Sequence, residues 1–234
     1  MEWIKPTANF LQGVTLRTFA DWQVEGRENV PPMGPLIIVA NHQSNFDPPL
    51  LSTTIPRRTS FLAKSGIFKG AFAKWFLRSY GAFPVDRDKA DIAAHRWALG
   101  QLDRDQAIVV FPEGTRNQGG MKKARQGVAR LALKAQAPLL PVGITGTEGL
   151  GTWLRVLNPT GKISVKIGTL FSIPSVEGKP SRDVLDSLTE MIMLRIAALL
   201  PASYRGIYRI NPPEAVEASG GTKPGVQESS APLA

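Results

Sequence analysis

Leu36-Ile37-Ile38-Val39-Ala40-Asn41-His42-Gln43-Ser44-Asn45-Phe46-Asp47 joins an unbroken apolar run to a histidine and, five residues on, to a carboxylate. The run 36–40 reads as a short buried strand, too short and too β-branched for a helix. A histidine at a strand end, one turn from a carboxylate, suits a base and the group that orients it. Neutral imidazole accepts a proton at one ring nitrogen when the other donates to a fixed carboxylate. The same letters also fit a plain helix start, with Asn41 or Ser44 as cap and Asp47 in the first turn.

Working outward, strand and helix patterns alternate. Residues 49–55 read as a short helix and 58–63 as a strand ending at Lys64, followed by a helix over 65–80 and a strand over 81–85. A helix is expected over 89–104, a buried strand over 107–111, a helix over 125–136, strands over 139–144 and 163–167, and a helix over 182–199 with Ser181 as N-cap. This alternation predicts an α/β fold, a central mixed, mostly parallel sheet flanked by helices. Sites in such sheets gather at the carboxyl ends of strands. The predicted strand ends carry His42, Lys64, Arg87 and the Glu113–Arg116 stretch.

Residues 3–22 read as one helix with Trp3, Phe10, Val14 and other large apolar side chains. It fits a helix lying among lipid headgroups and equally a helix packed on the domain. The 65–80 helix carries Phe68, Phe72, Trp75 and Phe76 at helical spacing, with Lys69, Lys74 and Arg78 around them. A core face is the commoner meaning of such a stripe; a membrane surface or the wall of an apolar channel are the others. Three segments result: a helical membrane-contact element over 1–30, a catalytic domain over 31–211, and a Pro/Gly/Ser/Glu-rich tail over 212–234 expected to be disordered.

Composition narrows the chemistry. The 234 residues include no cysteine, which removes disulfides, a thiol nucleophile and cysteine-ligated metal. Only His42 and His95 are histidines, so a histidine-rich metal site is not expected, and His95 reads as structural. Net charge is +9; the last 23 residues hold one Lys and three Glu, so the remainder carries +11. Such a body attracts anionic headgroups and phosphorylated substrates. Nucleic-acid motifs are missing, so no nucleic-acid partner is expected. No apolar run nears the ~20 residues of a membrane span, and no signal-peptide pattern opens the chain. If membranes matter to this chain, the expectation is that it lies on them, peripherally.

Three further stretches follow Asn41–Asp47 in order: Gly81-Ala82-Phe83-Pro84-Val85-Asp86-Arg87, Phe111-Pro112-Glu113-Gly114-Thr115-Arg116, and the apolar segment around Pro141. Together, over about residues 36–145, they resemble the four blocks of the glycerophospholipid acyltransferase family, whose type member is 1-acylglycerol-3-phosphate acyltransferase. The departures are Pro84 and Val85 in the second block and Asn117 where serine is common. No serine pairs with His42 in a nucleophile elbow, so a substrate hydroxyl is the better nucleophile. The resemblance implies His42 as its general base and Asp47 as the orienting group. It implies Arg87 and Arg116 on an acceptor phosphate, Lys64 adding charge, Glu113, Gly114 and Thr115 shaping the acceptor site, and Pro141 near the acyl donor. It implies a lysophospholipid acceptor, acyl-CoA or acyl carrier protein as donor, an anionic membrane surface as partner, and neither metal nor cofactor. Three other readings stand beside it: acylation of a different lysolipid, a non-catalytic lipid-binding protein of the same fold, and a hydrolase acting on thioesters if water reaches His42.

Overall fold

A computed structural model describes residues 3–86, 92–152, 155 and 157–209. Arg87, the first residues of the helix expected over 89–104, and the 212–234 tail lie outside the described residues.

The chain runs α1 (Ile4–Phe19), β1 (Ala20–Glu25), β2 (Leu36–Ala40), α2 (Asp47–Thr54), β3 (Thr59–Lys64), α3 (Gly70–Tyr80), β4 (Ala82–Val85), α4 (Ile92–Leu102), β5 (Ala107–Val110), α5 (Gly127–Ala135), β6 (Leu139–Thr145), β7 (Gly161–Ile167) and α6 (Arg182–Ala197). The strands form one sheet in the order β1-β7-β6-β2-β5-β3-β4. β6, β2, β5, β3 and β4 are mutually parallel; β7 is antiparallel to β6, and β1 runs parallel to β7. The sheet is thus mixed and mostly parallel, as the alternation of patterns implies.

β2 lies at the centre, and helices cover both faces of it. Leu36, Ile38 and Ala40 pack with Leu16, Phe46, Leu50 and Val109 on the side of α1 and α2. Ile37 and Val39 pack with Leu131, Ile192 and Ile196 on the side of α4, α5 and α6. Burial on both faces is why this strand is apolar throughout rather than alternating. Ser181 caps α6, its hydroxyl accepting from the Val184 amide at 3.2 Å.

The helix read over 3–22 ends at Phe19 instead. Ala20, Trp22 and Val24 alternate with exposed Asp21, Gln23 and Glu25, and this period of two forms β1, paired along β7 from Ala20–Gly161 to Glu25–Lys166. The helix read over 65–80 starts at Gly70, after a 3-10 turn at Ser65–Ile67. Both helices turn apolar residues outward. On α1, Ile4 and Leu16 are buried, whereas Phe10, at 70% exposed, and Val14 face solvent. On α3, Phe72 is 75% exposed and no residue of the helix is buried. The commoner reading of the α3 stripe, a core face, is corrected by this.

Candidate active site

β2 and β5 run side by side in register, Val39 opposite Val110. Three residues beyond those partners come His42 and Glu113, so the register alone brings the two turns level at the carboxyl end of the sheet. Backbone bonds then tie them together: the His42 amide donates to Glu113 Oε1 at 3.0 Å, and the Asn117 amide donates to the His42 carbonyl at 2.8 Å. Gly114 adopts φ +66°, a left-handed conformation that favours glycine, and a Cβ there would also press on the Arg125 side chain.

Within the first turn the His42 Nδ1 lies 2.8 Å from Asp47 Oδ2. Asp47, the first residue of α2, is 0% exposed, and its Oδ2 also accepts the amides of Gln43 at 2.7 Å and Ser44 at 2.9 Å. Its Oδ1 accepts the Thr147 hydroxyl at 2.6 Å. Donors on both oxygens hold this buried carboxylate in place, and Nδ1–H of His42 points at it. The tautomer this selects leaves Nε2 as the acceptor. The His42 ring stacks on Phe111 at 4.1 Å between centroids. The plain helix-start reading fails on its caps: the N-cap is Phe46, with no side-chain bond, and Ser44 Oγ instead accepts the Phe46 amide.

Glu113 faces inward rather than toward a ligand. Its carboxylate takes the His42 and Lys122 amides and the Asn117 side chain. Burial pushes its pKa up, and these donors pull against the shift. Glu113 therefore braces the loop from inside. Arg116 is exposed and donates from Nη1 to Asn45 Oδ1 at 3.0 Å, and Asn45 donates to the Gly151 carbonyl. Thr115 is exposed beside it, and Lys64 is exposed at the end of β3. Pro141, expected near the donor, is buried inside β6 opposite Val39, so any effect it has runs through the strand. His95, on α4, is half-buried; burial, then Lys134 and Arg130, lower its pKa.

Sequence reasoning passed over Thr147 and Phe111. Phe111 carried a signal, since it directly precedes Pro112-Glu113 at the strand end. It also lines a mostly apolar, half-open cavity of about 640 Å³ between α4, α5 and the sheet, together with Leu62, Val85, Val110, Val128 and Leu131, with Asp86, His95, Arg125 and Arg130 on its wall. That volume lies within the ordinary range of ligand pockets.

A family model described as Acyltransferase matches residues 21–145. The 1-acyl-sn-glycerol-3-phosphate acyltransferase of Bacillus subtilis is 27% identical over 178 residues, covering 76% of this chain and 87% of that protein. The corresponding protein of Streptococcus pneumoniae is 32% identical over 112 residues, but this match covers only 47% of this chain and 41% of that protein. Among solved structures, the 1-acyl-sn-glycerophosphate (LPA) acyltransferase of Thermotoga maritima superposes with a TM-score of 0.63 at 30% identity, over 81% of this chain and 76% of that one. The matched region runs from β1 to the end of β6 and so contains both motif turns, and on that extent of agreement the chain belongs to the acyltransferase family.

Proposed function

We propose that this protein transfers a fatty acyl group from a thioester to the free hydroxyl of 1-acylglycerol 3-phosphate, giving phosphatidic acid. The observation that carries the reading is the His42–Asp47 bond at 2.8 Å with Asp47 fully buried. His42 Nε2 takes the hydroxyl proton as the oxygen attacks the thioester carbonyl. The tetrahedral intermediate expels the thiolate, and the imidazolium returns the proton to sulfur. Asp47 holds the ring and stabilises its charged form. Every atom is accounted for by acceptor, thioester and imidazole, so the step calls for neither metal nor further cofactor. The donor is acyl-CoA or acyl carrier protein, and the acyl chain takes the apolar cavity beside Phe111.

In this reading Arg116 and Arg87 bind the acceptor phosphate through their planar forks of donors, and Lys64 adds charge at the same sheet end. Glu113, Gly114 and Thr115 shape that site. The outward aromatic residues of α1 and α3, with Lys69, Lys74 and Arg78 beside them, seat the protein on an anionic membrane surface, on the cytoplasmic face. Among the described residues no helix is long and apolar enough to cross a membrane.

Acyl transfer from palmitoyl-CoA and from palmitoyl-acyl carrier protein, assayed on vesicles with and without an acceptor phosphate, tests the proposal. Arg116→Ala is expected to raise KM for 1-acylglycerol 3-phosphate by about tenfold to a hundredfold, the usual weight of a charge-assisted bond, and to leave KM for a phosphate-free acceptor unchanged. Equal losses on both acceptors would remove Arg116 from the phosphate. Wild-type protein that moves no acyl group to any lysolipid would overturn the function itself.

A further inference from the structure

Gly146-Thr147-Glu148 follows β6, and Gly146 adopts φ +83° with its backbone against β7, where a Cβ would fall 1.9 Å from the Lys162 carbonyl oxygen. Only glycine fits there. The turn it permits carries Thr147 back over the end of β2. The two strand ends are already locked, because Asn41 donates to the Ile144 carbonyl and accepts the Ile144 amide, both at 2.8 Å. Thr147 ends up 0% exposed, with its hydroxyl 2.6 Å from Asp47 Oδ1 and 3.2 Å from Gln43 Oε1. A threonine has one hydroxyl proton to give, and the shorter contact to the charged oxygen takes it.

The division of donors on Asp47 gives this bond its meaning. Oδ2 has three: His42 Nδ1 and the amides of Gln43 and Ser44. Those two amides lie in the same short turn as the histidine, so they fix one end of the carboxylate only. Thr147 holds the other end, from 100 residues away. Without it, a fully buried carboxylate oxygen loses its donor, and rotation of the carboxylate about its Cβ–Cγ bond, which would carry the imidazole with it, is opposed by the Oδ2 donors alone.

We propose that Thr147 is a positioning residue for the His42–Asp47 pair, setting the carboxylate plane that aims Nε2 at the acceptor hydroxyl. The inference rests on the reading of His42 as the base. Thr147 is sealed from solvent, so its removal is expected to act on turnover and not on acceptor binding.

Thr147→Val keeps the shape and deletes the donor, and Thr147→Ser restores a hydroxyl. In the acyl-transfer assay Thr147→Val is expected to lower kcat about tenfold to a hundredfold with KM for the acceptor unchanged, and Thr147→Ser to recover most of the loss. Should the valine methyl prevent folding, Thr147→Ala is smaller than the native side chain and carries the same expectation. A second readout needs no substrate. Proton NMR in water reports an imidazole N–H held by a carboxylate as a far-downfield signal, and His42→Ala assigns it, since the chain has two histidines. That signal is expected in the wild type and in Thr147→Ser, and broadened or lost in Thr147→Val. The proposal is overturned if Thr147→Val turns over like the wild type, if its whole deficit lies in KM, or if the downfield signal survives unchanged. Because the NMR arm is independent of any acyl donor, inactivity of the wild type would count against the proposed reaction and leave the test of Thr147 standing.

Discussion

Single residues carry charges that their surroundings have to accommodate, and Lys5 is the sharpest case. It sits on α1 only 6% exposed, bonded to the Thr59 carbonyl and hydroxyl, with Nζ about 5 Å above the rings of Phe61 and Tyr80. Burial, helped by the like charge of Arg58, lowers its pKa from 10.5 to about 7. The folded protein thus releases this proton near pH 7, while the unfolded chain holds it to about 10.5. Between those values the unfolded chain binds more protons, so stability rises with pH. The cost of burying the amine is full below pH 7 and gone above 10.5. Lys5→Met is expected to be more stable than the wild type at pH 6, the gap closing by at most about 1.4 kcal/mol per pH unit through that window. Urea denaturation across pH checks this, and a gap that stays constant would contradict it. Nothing in the sequence marks Lys5, because a lysine on a helix reads as a solvated charge. His42 and Asp47 were legible, because the turn that joins them spans six residues. Thr147 was not, because its partner is brought to it by the pairing of β6 with β2.

At the scale of elements, short strands buried on both faces could be read from their unbroken apolar runs, and so could the cap of α6. β1 was lost because its alternation abuts the last turn of α1 with no glycine or proline between them. The direction of α1 and α3 was not legible either. An amphipathic stripe states that a helix has two faces, not which one meets the domain. The structure turns Phe10, Val14, Phe72, Trp75 and Phe76 outward, and Phe72, Phe76 and Tyr80 stack in succession along α3. If that surface rests on lipid, replacing Phe72 and Trp75 with serine lowers affinity for anionic vesicles about tenfold or more and leaves the fold intact. This is the weight of roughly one well-buried aromatic side chain. Vesicle co-sedimentation with circular dichroism on the same samples decides it; unchanged partitioning would remove α3 from the membrane.

For the whole molecule, the mixed sheet gathers at one end what the chain scatters over about a hundred residues. The turn after β2 supplies the imidazole and carboxylate, the turn after β5 braces it through Glu113 and Asn117, and the segment after β6 closes over Asp47. The parallel order of β6, β2 and β5 is what lets three separate blocks meet. A basic body would suit the anionic acceptor and membrane surface of the proposed function. In the proposed reaction all of this serves one group, His42 Nε2, as the base that activates the acceptor hydroxyl. The most direct measurement is single-turnover acyl transfer from palmitoyl-CoA to 1-acylglycerol 3-phosphate on vesicles, comparing wild type with His42→Ala at matched folding. The account predicts a rate lower by about 10²–10⁴-fold in the variant, the usual contribution of a positioned base. Equal rates in the two proteins would contradict it.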